Sequence, residues 1–176
     1  MERMSPQEIQ AAIDGGYRAA GNIFRGFVDA LEARYGKEEA AAIARQAVRC
    51  KGQAAGELAA RRFGRGGFAE LAAAHRAGYP STRVLELSAT RYVARDDHCP
   101  VVQGWRQSGL GEERIRELAD LYCWGDLHFA RAFNPRINLE FQSRIGEGHP
   151  YCQWLFTLGP PLEGADAGAN LTGEES

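Results

Sequence analysis

The spacing of apolar residues along the chain changes near residue 82. Before that point apolar side chains recur every three, four or seven residues, as at Ile9, Ile13 and Tyr17, which is typical of a helix with one buried face. Beyond it, residues 83–95 and 136–145 alternate apolar and polar side chains, as half-buried strands do. The change predicts an α+β fold, in which a helical N-terminal half packs on a small antiparallel sheet with two further helices.

Capping and turn residues mark the ends of these elements. Residues 5–8 (Ser-Pro-Gln-Glu) form a capping box with proline at the first helical position. Glycines at 15–16 and 21 predict a kink or a split in that helix, whereas Gly52 and Gly56 leave a flat stripe for close packing of another helix. The other predicted elements are helices over about 37–63, 68–77, 100–108 and 112–132, and strands over about 83–95, 136–145 and 151–158, the last two pairing as a hairpin.

The length and the charge of the chain narrow its class. With 176 residues, the chain has room for one core, and we expect a single α+β domain over 1–159. Residues 160–176 are rich in glycine, alanine and acidic side chains without periodicity, so we expect a flexible tail. The net charge of −2 provides no field that would favour nucleic acid or an anionic membrane.

The lack of a recognisable targeting signal and the pattern of cysteines predict a cytoplasmic protein. No apolar run approaches the roughly 18 residues of a membrane span, and the N-terminus lacks the layout of a signal peptide. The four cysteines contain no CxxC pair, so reduced thiols are expected rather than disulfides or a zinc site. A homo-oligomer is possible, and the sequence does not determine the oligomeric state.

Cys99 is the first candidate for chemistry. It precedes Pro100, which belongs at the first helical position, so Cys99 should occupy the N-cap. Free backbone N–H groups and the positive end of the helix dipole lower the pKa of a thiol there and favour the nucleophilic thiolate. Alternatively, Cys99 is a small apolar residue that is buried for packing alone. His98 is adjacent in sequence, but neighbouring side chains diverge, so it is not automatically the base.

A carboxylate interrupts the apolar stripe of the helix predicted over 112–132. Asp126 falls on or beside the stripe that contains Tyr122, Cys123 and Phe129. A carboxylate among core-facing residues is costly unless it is paired or used. Asp126 therefore either contributes to a pocket or lies at the edge of the stripe, solvated or paired with an arginine.

The remaining polar candidates have weaker signals. Glu140 lies on the polar face of a strand, which is usually solvated, and Cys152 shares a strand face with two aromatic residues and is structural by default. His75 is interpreted as an ordinary surface or core histidine, and His128 as an exposed one.

Five short motifs in order resemble one family. CPVVQGW, LYCWGD, AFNPRINLEF and GEGHPYCQW, with a GL between the first two, look like the L-2-amino-thiazoline-4-carboxylic acid hydrolases over roughly residues 84–157. The resemblance implies hydrolytic opening of a five-membered cyclic amidine to an N-carbamoyl amino acid. We expect this hydrolase to use no cofactor and no metal. The positions that match the family motifs are Cys99, Cys123, Asn134, Glu140 and Cys152.

Two hypotheses follow. In the first, a thiolate of Cys99 or Cys123 attacks the amidine carbon of a small-molecule substrate, and Asp126 or Glu140 moves the proton. Asn134 or a helix N-terminus stabilises the developing charge, and Cys152 and His98 complete the substrate site. The rival is a non-catalytic module that binds a small molecule, or a soft metal held by the three thiols with His98 or His149.

Overall fold

Six α-helices and a four-stranded antiparallel sheet form residues 4–159, the part of the chain that the computed structural model describes. The α+β class predicted from the sequence is confirmed. The predicted tail over 160–176 lies outside the described residues, and the single domain over 1–159 stays a prediction. The elements are α1 Pro6–Tyr35, α2 Lys37–Phe63, α3 Phe68–Gly78, β1 Arg83–Leu87, β2 Arg91–Asp96, α4 Pro100–Gln107, α5 Glu112–Tyr122, α6 Trp124–Phe133, β3 Ile137–Ser143 and β4 Cys152–Leu158.

The helix α1 is continuous from Pro6 to Tyr35, so the split predicted as one outcome at its glycines is wrong. The capping box at Ser5 and Glu8 is present, and Gly21 serves packing rather than bending. A Cβ at Gly21 would lie 2.8 Å from Cγ1 of Val101, and the indole N–H of Trp105 donates to the Gly21 carbonyl at 2.9 Å. Glycine at this position therefore lets α4 pack directly on α1.

The helices α2 and α6 pack at the glycine stripe, as the sequence predicted. A Cβ at Gly56 would lie 2.9 Å from Cβ of Ala132, and one at Gly52 would lie 3.1 Å from Cβ of His128. The backbone carbonyls of Gly125 and Phe129 are closer still. Only a residue without a side chain permits such an approach.

The segment predicted as one helix over 112–132 is two helices that meet at Cys123. Cys123 is the C-cap of α5 and the N-cap of α6, and its carbonyl accepts a hydrogen bond from the N–H of Asp126 at 3.0 Å. The break lets α6 lie along α2 while α5 packs on the short 3₁₀ helix Ile145–Glu147. Three helices therefore follow the N-terminal half, where the sequence predicted two.

The sheet has the order β1-β2-β4-β3, and all neighbouring strands are antiparallel. The predicted β3–β4 hairpin is confirmed. The strand predicted over 83–95 is instead the hairpin of β1 and β2, since Ser88 closes a turn by donating its N–H to the Arg91 carbonyl at 2.8 Å.

One face of the sheet supports the core. Tyr92 and Ala94 of β2 and Trp154 and Phe156 of β4 point towards the helices and are buried. The helical half reaches this face through α3, whereas α1 and α2 pack chiefly on α4 and α6. Within residues 4–159, no helix has the length and apolar character needed to cross a membrane.

Candidate active site

Side chains from four segments of the chain meet beside the junction of α5 and α6. They interact electrostatically with one another, and each keeps some solvent-accessible surface. Such partial access combined with strong desolvation is typical of groups around an interior site. We call these six residues the inner cluster: Tyr17 of α1, Tyr79 after α3, Cys99 before α4, and Tyr122, Cys123 and Asp126 at the junction.

Asp126 is the acidic group of the inner cluster. Burial raises the pKa of its carboxyl, and the positive charges of Lys51 and Arg144 together with a hydrogen bond from the side chain of Trp154 only partly oppose this. None of the ion pairs formed within residues 4–159 includes Asp126. A desolvated carboxylate without a contacting cation is costly and would gain from a cationic ligand.

Cys99 is the N-cap of α4, as predicted, but the expected lowering of its pKa is wrong. Its thiol makes no capping hydrogen bond. Burial raises the pKa of Cys99 to about 11; the N–H groups of Val102 and Val101 lower it less than burial raises it, and the charge of Asp126 raises it further. The desolvation of the thiolate outweighs the helix N-terminus, so Cys99 is a neutral thiol at pH 7.

The other two interior thiols are also neutral. Burial holds the pKa of Cys123 well above its usual range, Asp126 and Cys99 add to this effect, and Arg144 opposes it. Burial raises the pKa of Cys152 to about 12, although its Sγ accepts a hydrogen bond from the N–H of Ile145 at 3.3 Å. All four cysteines are free thiols.

His98 lies beside Cys99 in sequence, but its ring contacts α1 instead. Its Nε2 is 2.9 Å from Oδ2 of Asp14, and its backbone N–H donates to the buried Asp96. Asp96 also accepts hydrogen bonds from the hydroxyls of Ser81 and Thr82. These contacts fix the loop that positions Cys99.

Two predicted site residues lie away from the inner cluster. The side-chain amide of Asn134 donates to the Gly66 carbonyl at 2.9 Å and accepts from the N–H of Arg136, so it holds the end of α6. Glu140 is exposed on the sheet face opposite Trp154. The structure thus brings together Cys99, Cys123 and Asp126 and separates them from Asn134 and Glu140.

His75 is a core histidine, one of the two interpretations made from the sequence, and it packs against Tyr79 of the inner cluster. Its ring makes edge contacts with Tyr79 and Trp154, and Tyr92 places its hydroxyl 3.3 Å from Nδ1. Burial lowers the pKa of His75 to about 4, so the imidazole is neutral. The four-residue spacing of His75 and Tyr79 at the end of α3 is a signal from which their contact could have been predicted.

His128 was interpreted as exposed, and the structure corrects this. It lies where α6 approaches α2, and its Nε2 is buried without a hydrogen-bond partner among the described residues. The α2–α6 contact at Gly52 covers it, which the sequence period alone did not reveal.

The described residues contain no group of three or more His, Cys, Asp or Glu side chains that could hold a metal ion. The soft-metal site considered from the sequence, with the three thiols and His98 or His149, therefore has no candidate in residues 4–159. The chemistry available at the inner cluster is that of neutral thiols, phenols and one buried carboxyl.

Comparison with protein families agrees with the resemblance read from the motifs. The family model for L-2-amino-thiazoline-4-carboxylic acid hydrolase matches residues 2–156. The chain belongs to this family. The match extends through the helical N-terminal half, which contributes Tyr17 and Tyr79 to the inner cluster, and membership supports a hydrolase-like function.

Other comparisons add little. None of the curated proteins compared with the chain matches it. Among solved structures, the phenol-responsive sensory domain of the transcription activator PoxR, with phenol, is similar at 16% identity and a TM-score of 0.47. That similarity covers 81% of this chain and 74% of the other.

Proposed function

We propose that the chain hydrolyses a small cyclic amidine, with Asp126 holding the cationic amidinium group and Cys99 beside the amidine carbon. The observation that carries this proposal is the desolvated carboxyl of Asp126, which has no ion-pair partner within residues 4–159. A protonated amidine presents two N–H donors in one plane, which suits a carboxylate. Family membership supports this class of substrate.

A cationic ligand also changes the thiols. In the unliganded protein, burial and the charge of Asp126 both raise the pKa of Cys99. An amidinium bound to Asp126 neutralises that charge, so it removes the part of the increase in the Cys99 pKa that Asp126 causes. Substrate binding therefore favours the thiolate more than the unliganded protein does.

The reaction balances in two steps. Sγ of Cys99 forms a bond to the amidine carbon, and the bond from that carbon to the ring sulfur of the thiazoline breaks. The ring sulfur leaves as a thiol, with the proton of Cys99 relayed by Asp126. Water then adds to the same carbon and the bond to Sγ breaks. One water proton returns to Sγ, and the other leaves to solvent through Asp126. The water oxygen becomes the carbonyl oxygen of an N-carbamoyl product. Cys123 is the alternative thiol, and Cys152 and His98 support the loops around it.

Substitutions at three positions test this function with L-2-amino-thiazoline-4-carboxylic acid as substrate. Asp126→Asn and Cys99→Ser should each lower kcat/KM at least a hundredfold, since one removes the charge that binds the amidinium and the other the thiol. Glu140→Gln is the matched control, because Glu140 is exposed on the opposite sheet face. Wild-type rates in Asp126→Asn would refute the proposal.

The binding module remains a second candidate, because none of the three interior thiols is ionised in the unliganded protein. In that case the amidine binds with the same dependence on Asp126 and is recovered unchanged. Prolonged incubation with wild-type protein separates the two candidates.

A further inference from the structure

Lys51 carries a positive charge beside the inner cluster. Its Nζ lies 5.0 Å from the centroid of the Tyr122 ring, and the residue is exposed. Within the described part of the chain, no ion pair includes it. The other lysine, Lys37, is paired with Glu117 at 3.2 Å. Lys51 is thus a cation that an aromatic face holds and no carboxylate neutralises.

The contact between α2 and α6 fixes the position of Lys51. Gly52, the next residue along α2, packs against the backbone of Gly125, the residue before Asp126. The two helices therefore touch where these charges emerge, and Lys51 is close enough to act on the charge of Asp126. A negative group lies within the inner cluster and a positive group lies at its edge.

We propose that Lys51 determines specificity by binding the carboxylate of a dipolar ligand whose amidinium lies on Asp126. This inference rests on the proposed function and adds a second charge to the ligand. A cyclic amidine derived from an α-amino acid carries both groups on one small ring, so it complements both charges at once. An amidine without the carboxylate has no anionic group with which the ammonium of Lys51 could pair.

Calorimetric titration with two probes tests the assignment, with every variant made in the Cys99→Ser background so that the acid is bound but not hydrolysed. L-2-amino-thiazoline-4-carboxylic acid carries both charges, whereas 2-amino-2-thiazoline lacks the carboxylate. Lys51→Met should weaken binding of the acid about tenfold more than binding of 2-amino-2-thiazoline, because only the acid loses a carboxylate partner, whereas the effect of Lys51 on Asp126 is common to both probes. Lys51→Arg should retain most of the affinity. Lys37→Met is the matched control and should affect neither probe.

The outcomes separate this inference from the function on which it rests. Suppose that Asp126→Asn weakens the binding of both probes, but Lys51→Met changes the affinity for neither. The role of Lys51 is then wrong and the proposed function stands. Equal weakening of both probes by Lys51→Met would also refute a role in carboxylate binding. If wild-type protein binds neither probe, both proposals fail.

A second readout observes the lysines directly. The chain has only two lysines, so reductive methylation with ¹³C-formaldehyde labels Lys37, Lys51 and the terminal amine and preserves their charges. The acid should shift the methyl resonance of Lys51 and leave that of Lys37 in place. An unmoved Lys51 resonance at saturating acid would overturn the assignment.

Discussion

Gly52 of α2 lies directly against the backbone carbonyl of Gly125 in α6. This contact sets the residues on either side, because Lys51 precedes one glycine and Asp126 follows the other. The pair of glycines therefore links helix packing to the placement of the two charges of the candidate site.

Gly52→Ala should destabilise the protein by roughly 1–3 kcal/mol, since the new Cβ meets backbone, which cannot move aside as a side chain does. Gly15→Ala is the control: it lies within α1 with nothing within 4 Å of an added Cβ, so it should stabilise by up to about 1 kcal/mol. Urea unfolding measures both. Equal stability of the two variants would show that α2 and α6 are not in contact at Gly52.

His75 should make the protein sensitive to acid. Its pKa is about 4 in the folded protein against 6.5 when unfolded, so its contribution to stability is complete above pH 6.5 and is lost as the pH falls towards 4. The loss is at most about 3 kcal/mol before solvent screening reduces it. His75→Phe should flatten the unfolding free energy over this interval.

The control for His75 is internal. Asp96 and Asp126 have raised pKa values, so their contributions to the unfolding free energy are lost as the pH rises through those values. These contributions are the same in wild type and in His75→Phe. The difference between wild type and His75→Phe isolates the histidine. Parallel curves between pH 6.5 and 4 would mean that the imidazole is solvated.

Asp126→Asn should raise the melting temperature at pH 7 while abolishing amidine binding. The folded protein raises the pKa of Asp126 by burial, so its ionised form costs stability above that pKa, and the uncharged amide removes the cost. The increase should vanish in acid, where the carboxyl of the wild type is protonated as well. A lower melting temperature at pH 7 would indicate that an unrecognised cation compensates Asp126.

Thiol labelling should follow exposure rather than position at a helix end. Cys50 is exposed, whereas burial raises the pKa of Cys99 to about 11. Iodoacetamide at pH 7 should therefore modify Cys50 first and Cys99 slowly, and Cys99→Ser should keep the fold. Mass spectrometry of peptides measures the order. Preferential labelling of Cys99 in the unliganded protein would contradict the neutral thiol.

Much of the fold follows from local signals in the sequence. The capping box, the two-residue alternation in β3 and the proline after Cys99 act within a few residues, so they predicted the correct elements. The positions at which helices end or continue could not be predicted from the sequence, because they depend on tertiary contacts. Cys123 ends α5 where α6 must follow α2, and Gly21 packs against α4 within an unbroken α1.

Some residues of the inner cluster could likewise be predicted from local signals, and others could not. Asp126 was recognisable as a carboxylate on an apolar stripe. His75 and Tyr79 look ordinary in sequence, and only the packing of α3 on the sheet brings them to Trp154 and Cys99. The pKa of Cys99 was misjudged because a helix N-terminus is visible in the sequence whereas desolvation is not.

The most direct test of the central claim is the mass of the product that wild-type protein forms from L-2-amino-thiazoline-4-carboxylic acid in ¹⁸O-labelled water. The account predicts N-carbamoyl-cysteine carrying one ¹⁸O atom in its carbamoyl group, formed by wild type and Glu140→Gln but not by Asp126→Asn. Recovery of the intact amidine after prolonged incubation with protein that binds it would contradict hydrolysis and identify the inner cluster as a binding site only.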